Sequence, residues 1–565
     1  MTDDTEIEYM TDGLALRYIL SDPLMSQYSC VILDEAHERT ISTDILMAVL
    51  KEVCLARPDF RLIIASATLA AQKFSEYFQD CPILNVPGKL FEINKLYCSQ
   101  PEANYLSAAA TTVFQIHLSN KGAGDILVFL TGEQEIIDLQ ASLEETMKKL
   151  GSKSAPMIVA PVYGALPSEA QQLIFNPAPP GTRKVVLATN IAETSLTIDG
   201  ISYVIDCGLE KQSQFQASSG LNQLVTVPTS RASADQRAGR AGRTGPGMAF
   251  RLYTKYAFFN ELPESTQPEV LRSSLDNTVL MLKAMGIHDI LHFDFMDSPA
   301  AESLVASLEN LYALGYLDSN GAVTKLGRRA SELPLDPRLA KTLLQAESLG
   351  CVDEIIVLVA MVQEAGSLFF APKDKKVAAE SAKQRFCQAT AATGGDMIAF
   401  LNVWNEFVEN EYSPLWCRDN FIQYRSLNRI RNVIEQLTKL CEKVEIFPSS
   451  CGVHEYAKIL KAFTAGYFQN CARLGRDGQS YTSIGKGQGT QMFIHPSSCL
   501  RDVRPKLIIF SEMVLTSKEF ARTCAPIEPA WLTEMAPHFH KQKDIDELNV
   551  GKKMGKGQGK VGTGR

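Results

Sequence analysis

The sequence predicts an α/β protein in which parallel sheets precede a mostly helical region and a small β module. Three observations carry this. Through residue 257 or so, short apolar runs alternate with helical patterns, as strands joined by crossover helices do. From about 258 to 445 the apolar residues fall at helical spacing. Beyond about 446, brief β-prone pieces alternate with turns, which suits a small barrel or sandwich.

The runs Cys30–Leu33, Leu62–Ala65, Ile126–Leu130, Lys184–Ala188 and Tyr203–Asp206 read as strands. Each leads into a polar loop, where open α/β sheets hold their ligands. They form two blocks dividing near Pro87–Tyr97, and the first block is short. Further on, Leu304, Leu308 and Leu311 make a helical apolar stripe, and Ile355–Val362 reads as a buried helix. The β pieces at the far end are Met492–Ile494, Leu507–Phe510 and Met513–Leu515. Glycines and lysines without acids mark Gly551–Arg565 as a flexible basic tail.

A length of 565 residues leaves room for several cores. The net charge of −8 excludes a wholly basic nucleic-acid coat, though not a local basic channel. Thirteen cysteines without a Cys-x-x-Cys pair suit reduced thiols better than a disulfide framework or zinc site. No apolar run reaches membrane-spanning length and the N-terminus is acidic, so the expectation is a soluble intracellular protein.

Two stretches carry the chemistry. In Asp34-Glu35-Ala36-His37, at the end of an apolar run, Asp34 is placed to hold Mg²⁺, directly or through water. Glu35 is placed to orient and deprotonate an attacking water, the positioning and charge neutralisation that phosphoryl transfer asks for. In Gln236–Arg243, three arginines stand at three-residue spacing among glycines and alanines. On a helix they would lie roughly on one side, ready to grip phosphate through paired donors. Ser66-Ala67-Thr68 offers two small hydroxyls after a strand, and is equally a turn with local hydroxyl bonds. Thr189–Gly200 is dense in short polar groups that suit phosphate and sugar oxygens. The same stretch reads as a helix start, with Asn190 capping and Glu193 completing a box-like arrangement, and both readings can hold. No Gly-Lys-Ser or Gly-Lys-Thr occurs in the chain.

Taken in order, these stretches resemble the DEAH-box RNA helicases of superfamily 2, closest to the spliceosomal members, over essentially the whole chain. Asp34–His37 resembles motif II, Ser66–Thr68 motif III, Thr189–Gly200 motif V and Gln236–Arg243 motif VI. Tyr9–Gly13 is similar to motif Ib and Phe129–Gly132 to the RNA-contacting motif IV. Trp416–Phe421 fits the family's helical module; His495–Ser498 and Leu515–Phe520 fit its OB region.

The resemblance implies a partial first RecA-like domain over 1–92 and a complete second one over 93–257. It implies a winged helix over 258–328, a ratchet-like helical bundle over 329–445, an OB-fold over 446–545 and the tail over 546–565. It implies ATP and Mg²⁺ as cofactors, with Asp34 and Glu35 at the metal, Glu35 as catalytic base, Gln236 near the attacking water, and His37 among the catalytic residues. Arg240 and Arg243 would be fingers on the γ-phosphate; Phe175 would stack on the adenine, and Asp199 would belong to the nucleotide site. Thr11, Thr131, Gly132, Thr189, Asn190 and Lys518 would touch RNA, and Ser66 with Thr68 would couple the two activities. Single-stranded RNA, pre-mRNA, a G-patch activator and spliceosome components in the nucleus are the implied partners, with 3′-to-5′ movement. A competing reading is a non-catalytic RNA-binding or scaffold protein derived from such a helicase.

The chain departs from the family in three places. Motifs I and Ia, with their phosphate loop, are absent, so the resemblance implies an N-terminally incomplete representative. Without the phosphate-loop strand, an interior apolar strand would become an unpaired edge. Motif IV reads Thr131-Gly132-Glu133-Gln134-Glu135, where the family has Gln before Glu. The strand-separating hairpin has Phe215–Leu221 in place of Asn-Pro-Arg-Thr-Gly, which puts separation in more doubt than translocation.

Overall fold

A computed structural model describes residues 5–541, apart from 68–70, 89–90, 120–123, 152–153, 165, 167–171, 195, 217–220, 373–374, 389–391, 453, 485–488 and 516–517. The tail and Thr68 therefore lie outside the described residues. The chain forms two compact units. The first comprises Met1–Gln214, Gln223–Ser273 and Asp294–Pro299; the second comprises Phe215–Asn222, Ser274–Phe293 and Ala300–Arg565.

The first unit holds two parallel sheets. β1 (Cys30–Leu33) and β2 (Arg61–Ile64) pair in register from Cys30 opposite Arg61 to Leu33 opposite Ile64. A parallel pair needs a crossover, and the helix Ile41–Ala56 supplies it. Thr40 caps that helix by accepting from the Thr43 N–H at 3.2 Å, and Ile45, Leu46, Met47, Leu50 and Val53 form its buried face. The predicted strand Leu62–Ala65 thus begins and ends one residue early, and Ala65 follows it, joined to the β1 end through its N–H to Leu33 O at 2.8 Å.

The larger sheet has six strands: β3 (Ile93–Cys98), β4 (Asp125–Phe129), β5 (Met157–Val162), β6 (Arg183–Ala188), β7 (Ile201–Asp206) and, after a hairpin of β8 (Leu209–Gln216) and β9 (Leu221–Pro228), β10 (Gly247–Thr254). Their order is β3-β10-β7-β4-β6-β5 and every pairing is parallel. Strands covered on both faces read as continuous apolar runs, and this sheet has a core on each side. One core gathers Leu127, Phe129, Val186, Val204 and Ala238; the other gathers Val113, Ile126, Val128, Val185 and Leu187. Gly247 opens β10 where a Cβ would stand 2.3 Å from the Ala241 carbonyl oxygen, so the arginine-bearing turn packs directly on that strand.

The second unit is helical, then β. The helix Ala301–Ala313 buries Leu304 and Leu311, while Leu308 lies at the edge of the stripe and is only partly covered. A minimal wing follows, with Leu317 bridged to Val323. The predicted apolar helix is Val352–Glu364, buried along Ile355, Ile356, Leu358, Val359 and Met361. Five strands close a barrel in the order β11 (Cys471–Leu474), β12 (Tyr481–Ser483), β13 (Gln491–Ile494), β15 (Glu519–Pro526), β14 (Leu507–Leu515). The two strands expected at Leu507–Phe510 and Met513–Leu515 are one. Ser511 and Glu512 continue the ladder, with Glu512 opposite Arg522, because an outward polar residue fits a strand's alternation as well as a break.

Candidate active site

The acidic loop is shaped by its backbone. Leu33 ends β1 buried; Asp34 and Glu35 are exposed. Glu35 takes a left-handed φ of 50°, as does Arg39, and between them Ala36–Glu38 makes a tight 3-10 turn. Non-glycine residues held in that region are a strain that a surrounding structure must enforce. Here the enforcement is visible: Ala36 N–H donates to Ala65 O at 3.0 Å, and Asp34 Oδ1 accepts from the Glu35 N–H at 2.9 Å. Arg39 is held in turn by Asp44 at 2.7 Å and Asp297 at 2.6 Å.

His37 joins three predicted motifs. Its Nδ1 accepts from the Ala67 N–H at 3.3 Å and stands 3.4 Å from Glu35 Oε2; its Nε2 is 2.8 Å from the side-chain amide of Gln236. Both ring nitrogens therefore have a partner, a backbone N–H on one side and the Gln236 side-chain amide on the other. Beside the ring lies a cavity of about 70 Å³ lined by His37, Arg39, Ser233, Gln236 and Thr266.

The three arginines do not share one helix face, which corrects the expectation from their spacing. The helix ends at Gly239, and Arg240–Gly242 is a separate 3-10 turn. Arg237 is buried and bound to Glu193 at 2.9 Å, Asp206 at 2.9 Å and Glu210 at 3.2 Å, with its guanidinium over the Phe129 ring. It cannot meet a phosphate. Arg240 is mostly buried; it donates through Nε to Glu193 O at 2.7 Å and through Nη1 to Leu196 O at 2.8 Å, and its Nη2 also meets Glu193 O. Burial and the neighbouring Arg243 charge pull its pKa down to about 10, against the opposing pull of Glu193 and of Glu35. Arg243 is exposed and donates to Thr197 Oγ1 at 2.9 Å. Acidic loop and arginine turn therefore feel one another's charge.

The remaining predicted residues fall in distinct settings. Thr189 precedes a short 3-10 turn, Asn190–Ala192, and makes no side-chain cap; the Glu193 carboxylate goes to Arg237. The expected cap by Asn190 with a Glu193 box is thus replaced by an ion pair. Asn190, Asp199, Ser66 and Thr11 are exposed, whereas Thr131 and Gly132 are covered at the end of β4. Glu135 accepts from the Thr131 N–H at 2.9 Å, so the altered motif still ties the first turn of its helix back to the residue before the cap. Phe175 is 53% exposed above the buried Ile174. In the second unit Lys518 Nζ lies 4.5 Å over the Phe493 ring.

Sequence reasoning missed Lys184. Its buried ammonium donates to the carbonyls of Ile174 at 2.6 Å and Asn176 at 2.9 Å, gripping the backbone on both sides of Phe175. A lysine inside an apolar run was the available signal, because such a charge is buried only when paired. Asp206 and Glu210 were missed likewise, and Glu193 was read only as a cap partner. For a cation, the exposed hard oxygens of Asp34 and Glu35 suit Mg²⁺, which keeps most of its water and takes one or two carboxylates.

Four family models match the chain: the helicase conserved C-terminal domain over residues 109–245, the winged-helix helicase associated domain (HA2) over 307–335, the ratchet-like HA2 domain over 336–409, and the oligonucleotide/oligosaccharide-binding (OB)-fold over 459–539. The chain is 46% identical over 549 residues to the pre-mRNA-splicing factor ATP-dependent RNA helicase prp22 of Schizosaccharomyces pombe. The match covers 97% of this chain and 46% of that protein, so the chain spans about half the length of this relative.

Proposed function

The chain belongs to the DEAH-box helicase family, and on that premise we propose that it is an ATP-dependent RNA helicase acting on ribonucleoprotein in pre-mRNA splicing. The observation that carries this reading is His37, one ring bonded to both the Ala67 N–H and Gln236. It ties the water-activating Glu35 to the segment that bears Arg240 and Arg243. ATP with Mg²⁺ would supply the reactive phosphoryl group and its countercharge. Asp34 would hold the hydrated cation, Glu35 would take the proton of the attacking water, and Gln236 with His37 would orient that water. Arg243 has the exposure of a finger; Arg240 is prearranged by its carbonyl partners, with further N–H groups on both terminal nitrogens.

Phe175, presented by Lys184, is the proposed adenine platform, with Asp199 on the same nucleotide site. Thr11, Thr189, Asn190 and Lys518 are the proposed RNA contacts, joined by Thr131 and Gly132 if the cover over β4 opens. Contacts of that kind predict little base preference and salt-weakened binding. The relative's splicing role supports a nuclear, spliceosomal setting with single-stranded pre-mRNA, and the family resemblance supports 3′-to-5′ movement and a G-patch activator. Among the described residues no helix is long and apolar enough to cross a membrane.

The second reading, a non-catalytic RNA-binding scaffold, draws on the oligonucleotide/oligosaccharide-binding (OB)-fold match over residues 459–539. One experiment separates the two. Single-stranded RNA added to the full-length gene product should raise ATP hydrolysis, and Glu35→Gln should abolish turnover while nucleotide still binds. RNA binding without any RNA-stimulated hydrolysis would establish the scaffold and overturn the helicase.

A further inference from the structure

Arg237 and Arg240 meet at one residue, Glu193, which closes the short 3-10 turn after β6. Each polar group of Glu193 has a separate task. Its N–H donates to Asn190 O at 2.9 Å, its carbonyl oxygen accepts from Arg240 Nε at 2.7 Å, and its carboxylate accepts from Arg237 Nε at 2.9 Å. The far side of the Arg237 guanidinium is fixed to the sheet and its hairpin. Nη1 donates to Asp206 Oδ1 at 2.9 Å and Nη2 to Glu210 Oε2 at 3.2 Å. Asp206 is clamped in turn, accepting from the Gly208 N–H at 3.0 Å and from the Tyr253 hydroxyl at 2.9 Å. Glu193 and Arg237 are both buried, so solvent does not compete for these bonds.

A three-residue 3-10 turn has poor hydrogen-bond geometry and little stiffness of its own. The end of β7 is stiff, because that strand is paired on both sides, with β10 and β4. Rigidity therefore runs from β7 through Arg237 into the turn that carries the Glu193 carbonyl. Arg240 takes its direction from that carbonyl and from Leu196 O at 2.8 Å. These bonds occupy Nε and one N–H on each terminal nitrogen, which leaves two donors for phosphate oxygens.

We propose that Glu193 and Arg237 are positioning residues for phosphoryl transfer: Arg237 anchors the Glu193 carboxylate to the end of β7, and the Glu193 carbonyl then aims Arg240 at the γ-phosphate. Neither residue touches the nucleotide. The inference rests on the reading of Arg240 as a phosphate finger, and it extends the reacting constellation two residues inward from the site.

The test uses the full-length gene product and three measurements: RNA-stimulated ATP hydrolysis, binding of ADP with and without aluminium fluoride as a mimic of the transferred phosphoryl group, and thermal unfolding. Glu193→Ala should lower kcat about 10- to 100-fold with little change in KM, the scale of a misplacement near 1 Å. It should weaken binding of ADP with aluminium fluoride and spare that of ADP alone. Glu193→Gln, whose amide oxygen can still accept from Arg237 Nε, should restore most of the rate. Glu210→Ala takes a carboxylate from the same guanidinium without touching the holder of Arg240. It should lower the unfolding temperature as Glu193→Ala does and leave kcat near that of the unsubstituted protein. In an Arg240→Ala background, Glu193→Ala should slow hydrolysis no further, since residues acting through one contact do not add. Should Glu193→Ala fail to fold, Arg237→Lys takes its place: it keeps a cation among the carboxylates, lacks the guanidinium fork, and should give the same loss of kcat. A normal kcat in the variant that folds, equal slowing by Glu210→Ala, or full additivity with Arg240→Ala would overturn the positioning role and leave the helicase reading standing. A normal rate in Arg240→Ala, or no RNA-stimulated hydrolysis by the unsubstituted protein, would overturn the finger reading and this inference with it.

Discussion

The two parallel sheets of the first unit are built from the same kind of strand yet are covered very differently. In the six-stranded sheet every residue of β6 is buried, and Val128, Val185 and Val204 are fully so. In the two-stranded sheet Ile32 is 62% exposed and Ile63 50% exposed. An apolar strand is a demand for cover, and only the larger sheet meets it on both faces. Still, the loop above the poorly covered pair is no less shaped than the one above the deep sheet. Glu35 and Arg39 keep left-handed backbones, and the Ala36–Ala65 link closes across the strand ends. The acidic loop is therefore organised by hydrogen bonds at the rim of its sheet, whereas the arginine turn is organised by charges buried beside its own.

Three substitutions bear on that contrast. The largest effect belongs to Arg237→Ala, which strands Glu193, Asp206 and Glu210 without their cation and should cost about 3–5 kcal/mol. Hydrogen exchange at the β7 amides reads it, and unchanged protection there would break the claim that buried charge organises this side. Next comes Leu187→Ala, in the middle of β6, where a lost side chain and the remaining cavity should cost about 2–5 kcal/mol. Exchange across β4 and β6 should quicken accordingly. Smallest is Ile63→Ala, at about 1 kcal/mol or less, since half of that side chain already meets solvent. If Ile63→Ala proves as costly as Leu187→Ala in the same measurement, the two sheets are equally packed and the comparison fails.

Much of this was legible in the sequence, for physical reasons. Doubly covered parallel strands must be apolar throughout, so β4, β6 and β7 announce themselves as runs. The acidic loop is legible because its residues are consecutive and each has one chemical use. Arg237 was not. The pattern Arg237, Arg240, Arg243 repeats evenly, and nothing local says which guanidinium turns inward. Its partners stand 27, 31 and 44 residues upstream, on other elements. Lys184 hides in the same way, since its work is done on the carbonyls flanking Phe175. The division of β14 into two strands was a different error: Ser511 and Glu512 look like a turn until the alternation of the ladder is followed through them.

An imidazole has two terminals and no third. In His37 one is occupied by Ala67 and the other by Gln236, so the ring is a connector without a spare socket. Whatever passes between the loop after β2 and the arginine-bearing helix along this route must tilt the ring or move its proton. Either event changes what Glu35, 3.4 Å away, has beside it.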